Sequence, residues 1–598
     1  MGNPFVRAAF AALAVATVAA FFVAQQLKSE FPLVLRFAAR PANISPNHDD
    51  YQDSTRVGFD LTQRAKVSFS IVDSEGKEVR RLLADRTLRG DRHYRFRWNA
   101  RDANGHIVPD GIYRMRVVRR DQGRVINSIK KIRVDTVPPK VRLLSASPGV
   151  IAPALPGRHP RVVIRYAGPR NFAPEFRVFR TDGGPTRVVL RFRGDSHRRA
   201  IWNGFVRGHP AVDGNYTFSA RVRDAAGNTT VAPAAVPTPA TVAPGTGVTV
   251  ASLTLRGPVG VVNAGSLAHF AAGPFPRRLK LSLSRIGARR ALRTGRRRGG
   301  GFRLRVPSTA RTGLYLLRIR AGRNRAVWPL AVSGRPNGRR SARRPRPLVV
   351  LPVLTWQGLD PIDDDLDGFA DTLDHASGVP LDRPYARGHL PPRLRSEVEP
   401  LLRFLDRRRL PYDLTTDLSL AHGLGPAPDG ASAVVIAGSE RWAPPALERR
   451  LRGYVQGGER LALFGADSFR RQVELAPGRA SHPSPPAGAN AFGERTALLR
   501  TSSAPLAVEE DRLGLFRGLD GLIGSFSVFD LSTGLPAGSK ALTGAGRLPG
   551  KPALVAYRLG RGIVIRMGTP QWSRELQSSA GLPVQRVTER LWRLLGGH

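Results

Sequence analysis

No cysteine occurs in the 598 residues. That absence excludes a thiolate nucleophile, a thiolate-held metal and any disulfide, so each domain must be held by its own apolar core. Long hydrophobic runs are almost as scarce. There is one, at residues 8–24, and the mean hydropathy of -0.23 excludes a polytopic membrane protein. Acidic residues are missing from the whole interval between Asp224 and Asp360, where 24 Lys and Arg supply half of the net charge of +48. Aromatic residues do not interleave the basic runs as a base-stacking surface requires, so no nucleic acid is expected as a partner.

The one apolar run is broken only by Thr17 and is flanked by Arg7 and Lys28. Its 17 residues stand at the short end of the roughly 17–25 that cross a bilayer. A cleaved signal peptide would place small residues just before the cut, whereas this run closes on Phe21, Phe22, Val23 and Ala24. The expectation is an uncleaved signal anchor, a single transmembrane helix within residues 1–30. The bulk of the chain is then extracytoplasmic at the cell membrane.

Beyond residue 55 the apolar residues fall at every second position: Val67, Phe69 and Ile71; Tyr94, Phe96 and Trp98; Tyr113, Met115 and Val117. Period-two alternation broken by Gly, Asp and Asn clusters predicts half-buried antiparallel strands and a β-sandwich. The motif order then repeats. Trp98-Asn99 and Asp110-Gly111-Ile112-Tyr113 return as Trp202-Asn203 and Asp213-Gly214-Asn215-Tyr216. Asp-Gly is turn chemistry and the Tyr two residues on opens the next strand. The predicted domains are therefore 40–137 and 138–232, with residues 229–248 read as a Pro-, Ala- and Thr-rich linker. A third strand-rich unit, 249–334, lacks the repeated marks, and a basic linker, 335–346, follows it. With Ser45-Pro46-Asn47 ahead of Trp98-Asn99, and Asp102-Ala103-Asn104-Gly105 ahead of Pro109-Asp110-Gly111-Ile112-Tyr113, the first copy resembles the FlgD-like Ig domain of the flagellar hook cap. That resemblance implies tandem Ig-like spacer modules over about 40–235.

In the basic interval, Arg296-Arg297-Arg298 before three glycines reads as a hairpin tip. The expectation is that segment 249–346 seeks an anion, either anionic lipid or an acidic cell-wall polymer, each basic residue near such a surface adding ~1 kcal/mol.

After Pro347 the pattern changes. Residues 348–354, 432–437 and 460–464 are continuous apolar runs, the mark of strands buried on both faces. Leu447, Leu451 and Val455 recur at helical spacing between Pro444-Pro445 and Gly457-Gly458. Strand, helix, strand at that length predicts a parallel βαβ unit, and an α/β flavodoxin-like domain over 347–598. The segments Val434-Val435-Ile436-Ala437-Gly438-Ser439-Glu440-Arg441-Trp442 and Leu461-Ala462-Leu463-Phe464-Gly465-Ala466 resemble the class I glutamine-amidotransferase-like fold. Within it they are similar to the C-terminal domain of the N,N-dimethylformamidase large subunit, over about 347–575. An amidotransferase needs a nucleophilic Cys at the elbow after Phe464, where this chain has Gly465-Ala466-Asp467-Ser468. The dimethylformamidase resemblance implies an oxygen-ligated iron with tyrosine among its ligands. Of that family's His-Asp-Glu-Tyr-Trp only Glu440 and Trp442 match, and Arg441 stands in the tyrosine's place. The domain is expected to bind rather than catalyse, with amide or glycan hydrolysis as the alternative.

The sharpest motif is acidic. Asp363, Asp365 and Asp367 occupy positions 1, 3 and 5 of a 12-residue calcium loop, Gly368 the turn at 6, the Phe369 carbonyl 7, Asp371 9 and Asp374 12. Carboxylates from alternate residues converge as hard oxygen ligands, and so many of them repel one another without a cation. A lone Ca2+ site is expected directly after the first strand of the C-terminal domain.

Overall fold

The computed structural model describes residues 4–28, 33–155, 160–170, 172–195, 197–274, 278–334 and 345–597. Most of the linker expected at 335–346 lies outside these residues. Helix α1, Pro4–Lys28, opens the chain. Its stretch Phe5–Val23 has a mean hydropathy of 2.1 and no side chain packed against the rest of the protein.

Three β-sandwiches follow. In the first, a three-stranded sheet (Val34–Arg40, Thr55–Leu61, Arg92–Trp98) faces a five-stranded one that includes Ala65–Val72 and Gly111–Arg119. The alternating residues meet between the sheets: Val57, Phe59, Phe69, Trp98 and Met115 are buried in one cluster. The second sandwich repeats the arrangement from Arg142–Ser147 to Val248–Val250. Thr229–Ala232 and Val248–Val250, at the two ends of the stretch read as a linker, both pair with Gly214–Arg223.

The repeat seen in the sequence has a geometric counterpart. Trp98 lies 5.3 Å from Tyr113, and Trp202 lies 5.3 Å from Tyr216. The Tyr113 hydroxyl donates to the Pro109 carbonyl four residues back at 2.7 Å, and Tyr216 to that of Val212 at 2.7 Å. The third sandwich, Thr254–Arg256 to Asn324–Ser333, carries the same device where no mark was legible: Tyr315 donates to Arg311 at 3.0 Å.

In the C-terminal domain nine strands form one sheet: β1 Pro347–Leu351, β2 Asp413–Thr416, β3 Ala433–Ile436, β4 Arg460–Leu463, β5 Arg495–Asp511, β6 Leu522–Gly534, β7 Ala541–Leu548, β8 Lys551–Leu559 and β9 Gly562–Arg566. Their order is β2-β1-β3-β4-β9-β8-β7-β5-β6. Pairing is parallel from β2 to β9 and antiparallel from β9 to β6.

This corrects the expected flavodoxin-like α/β fold. Strands make up 44% of the chain and helices 15%, and nearly half of the large sheet is built from hairpins rather than helical crossovers. The continuous apolar runs pointed to the parallel half because those strands are buried on both faces. In β5, β6 and β7 polar residues and glycines separate the apolar ones, so no long apolar run marks them, whereas β8 carries the buried run Ala553-Leu554-Val555-Ala556-Tyr557, which the sequence reading passed over. A second correction is local. The apolar run 348–354 is not one strand, since β1 ends at Leu351 and helix α2, Val353–Leu359, follows Pro352.

The third sandwich is fused to this domain. One buried cluster runs without a break from Leu255, Leu281 and Trp328 to Tyr385, Leu402, Phe526 and Leu591. The Trp328 ring packs tilted against Tyr385 with centroids 5.0 Å apart, Val261 N–H donates to Ser419 Oγ at 2.9 Å, and Arg285 pairs with Asp406 at 2.8 Å.

Candidate functional site

Helix α2 separates β1 from the acidic loop, which leaves the helix at Asp360 and is closed by an isolated bridge between Ile362 and Asp371. Inside it the backbone doubles back through Gly368, whose φ of +93° favours glycine. A Cβ there would sit 2.6 Å from the Tyr216 carbonyl of the second sandwich. The loop is thus pressed against that sandwich. Gly245 N–H donates to the Asp365 carbonyl at 2.9 Å, Gly247 N–H to that of Leu366 at 2.6 Å, and the Thr181 hydroxyl to that of Gly368.

Three of the expected carboxylate ligands come together: oxygens of Asp363, Asp365 and Asp371 all lie within 4.8 Å of one another. The others are engaged elsewhere. Asp367 accepts from Phe369 N–H at 2.6 Å. Asp374 receives both guanidinium nitrogens of Arg441, at 2.8 and 2.9 Å, which draws it away from the cluster. Asp363 is the buried member, accepting from Gly368 N–H at 2.9 Å and Asp367 N–H at 3.1 Å. Burial, and after it the neighbouring Asp367, push its carboxyl up to about 8. Burial likewise raises Asp367 to about 6 and Asp360 to about 7.

A second group of carboxyls lies at the C-terminal ends of β2 and β3, which the sequence reading left scattered. Asp417, the first residue of α3 (Asp417–Ala421), and Glu440 are both fully buried. Asp417 accepts from Leu354 N–H at 2.7 Å and Leu418 N–H at 2.6 Å. Two carboxyls confined together cannot both ionise in this setting. Burial raises Asp417 to about 7 and holds Glu440 well above the usual carboxylate range. The legible signal was Thr416, whose hydroxyl accepts from Ser419 N–H as the N-cap of α3.

The elbow residues are also committed. Asp467 carries ion pairs to Arg441 at 3.3 Å, Arg470 at 3.7 Å and Arg471 at 2.6 Å. Ser468 Oγ accepts from Glu440 N–H at 3.1 Å. Arg441, stacked 4.7 Å over Trp442, brings a fixed cation to the position the iron resemblance assigns to a tyrosine. Among the described residues no cluster of three His, Asp or Glu side chains contains Glu440. These residues do not fit an oxygen-ligated iron.

No curated protein matches the chain. Solved structures match only in part. They include PorZ, a surface component of the type-IX secretion system of Porphyromonas gingivalis (22% identity, 17% of this chain and 11% of that one, TM-score 0.12). The β-galactosidase of Bacillus circulans sp. alkalophilus aligns at 16% identity over 32% of this chain and 26% of its own, with a TM-score of 0.22. Fibronectin(III)-like modules of Clostridium thermocellum CbhA align at 15% identity over 33% of this chain and 90% of theirs, with a TM-score of 0.19. The chain therefore spans about a ninth of the first of these proteins and a quarter of the second, and likenesses this low carry no argument about its activity. Family profiles match two segments: residues 44–123 are similar to the FlgD Ig-like domain, and residues 300–519, beginning inside the third sandwich, to the N,N-dimethylformamidase beta subunit-like C-terminal domain.

Proposed function

We propose that this is a membrane-anchored extracytoplasmic envelope protein whose Ig-like modules hold the C-terminal domain away from the bilayer to bind a ligand or partner. The observation that carries the reading is the succession of one exposed apolar helix, Phe5–Val23, and an Ig-like module matching from residue 44. A binding role is supported by Asp467 and Ser468 at the elbow, whose side chains are spent on ion pairs and a backbone amide, and by Arg441 in the tyrosine's place. As part of the same reading, Asp363, Asp365 and Asp371 bind one Ca2+ and brace the loop against the second sandwich. The Phe369 carbonyl, Asp367 and Asp374 are left outside that smaller ligand set.

The test is fractionation followed by N-terminal sequencing. The protein should pellet with membranes, resist extraction by high salt, begin at Met1 or Gly2, and be digested by protease added outside the membrane. A mature chain beginning beyond Ala24, or protection from external protease, overturns the anchored reading.

A further inference from the structure

We propose that the groove between the third sandwich and residues 387–396 holds one strand of a linear, phosphate-bearing envelope polymer. The groove encloses about 1140 Å³, and no Asp or Glu lines it. Its unpaired charge comes from Lys280, Arg318, Arg320, Arg323, Arg325 and Arg395, all exposed, while Arg387 and Arg393, which also line it, are paired with Asp182 and Glu397. Among the described residues none of these six forms an ion pair with a carboxylate. Two are already aimed: Arg318 donates to Ser284 Oγ at 2.7 Å and Arg320 to the Gly322 carbonyl at 2.8 Å.

The register of the sheet makes this arrangement costly. Lys280 lies directly opposite Arg320, and Arg320 opposite Arg325. Arg296 faces Lys280 from the next strand. Four cations therefore stand in one row on one face of four adjacent strands. Directly opposed like charges destabilise a sheet, since their Cβ atoms are about 5 Å apart. A bound polyanion relieves that repulsion, and the guanidinium fork matches phosphate oxygens.

The shape selects among polyanions. The groove is concave, so a flat bilayer cannot reach its floor. No Phe, Tyr or Trp lines it and His389 is its only ring, so it has no stacking platform for successive nucleobases. The polymer's place in the envelope rests on the extracytoplasmic reading above, but the groove's preference for a linear phosphate chain does not.

Full-length protein in neutral detergent would be titrated with long-chain inorganic polyphosphate over a range of salt. Binding should weaken with salt with a log–log slope of about −4, from six contacts at about 0.7 each. Arg320→Glu, Arg325→Glu and Arg395→Glu together should lower affinity at least tenfold and flatten the slope by about 2. They should also leave the melting temperature unchanged or raised, because the opposed row is broken. Arg256→Glu, Arg303→Glu and Arg305→Glu, on the opposite sheet of the same sandwich, make the same change in net charge and should lose less than threefold. Equal losses from both triples overturn the groove. So does tighter binding to phosphatidylglycerol vesicles or to oligo(dT) than to polyphosphate. If polyphosphate binds as described but fractionation places the protein in the cytoplasm, the groove stands and the envelope reading falls.

Discussion

Calcium should reverse the pH dependence of this protein's stability. The perturbation is Asp363→Asn. In the metal-free protein, Asp363 titrates near 8 when folded against an ordinary 3.8. A carboxyl raised by folding contributes stability while it stays protonated, and that contribution is lost as pH rises from the unfolded value through the folded one. At 1.36 kcal/mol per unit, moving from pH 5.5 to pH 8 costs about 3 kcal/mol at this residue alone. Ca2+ removes the cost by supplying the missing charge, and at a hundredfold excess over its Kd adds ~2.7 kcal/mol by mass action. Mg2+ should add less, because it keeps its waters and an octahedral shell. The assay is thermal unfolding of the full-length protein at both pH values, in calcium or in chelator. In chelator the wild type should melt lower at pH 8 than at pH 5.5, and calcium should raise it most at pH 8. Asp363→Asn should melt higher than wild type in chelator at pH 8, since no charge is buried, and should show no calcium increment. Identical melting in calcium and chelator would falsify the cation site. A variant that melts lower than wild type in chelator would show that Asp363 serves only as the acceptor for Gly368 and Asp367.

Two further predictions concern the framework. Arg566, at the end of β9, and Glu494, 2% and 0% exposed, pair at 2.6 Å, and Arg566 also pairs with the buried Asp530 at 3.6 Å. Arg566→Met alone should cost about 3–5 kcal/mol by stranding the buried carboxylates of Glu494 and Asp530, while the double change with Glu494→Leu should recover only part of it, because Asp530 stays without its cation, in denaturant unfolding. Tyr113→Phe and Tyr216→Phe each remove one hydroxyl bond and should each cost about 1 kcal/mol, and a difference larger than threefold between them would contradict the equivalence of the two sandwiches.

How much the sequence revealed depended on whether a signal was local. Trp98 and Tyr113, and their counterparts Trp202 and Tyr216, were legible because a turn and a strand start fix them within 20 residues of one another. The parallel strands were legible because burial on both faces leaves runs such as Val434-Val435-Ile436. Strands β5, β6 and β7 were not, since Thr, Ser, Gly and Arg stand between their apolar residues, and β8 went unread although it carries the apolar run Ala553 to Tyr557. In the acidic loop, spacing identified the residues but not their partners. Arg441, 67 positions beyond Asp374, captures that carboxylate, and no loop template contains such a competitor. The groove was half legible: the acid-free interval marked its sandwich wall, but Arg395 comes from a helical turn that only the tertiary fold brings near.

The fusion of the third sandwich to the C-terminal domain changes what a cut in the chain can achieve. Trp328 packed against Tyr385, and Arg285 paired with Asp406, belong to one interior, so hydrolysis of the peptide backbone within residues 335–346 severs a covalent link without opening a core. The two fragments remain a non-covalent complex, and separating them requires denaturant. A gel run under denaturing conditions would then report two pieces where gel filtration reports one particle. Because residues 335–346 are rich in arginine, trypsin would test whether nicking there is compatible with an intact fold. A fragment that begins at Pro347 would expose the face of the shared cluster that Leu255, Leu281 and Trp328 cover.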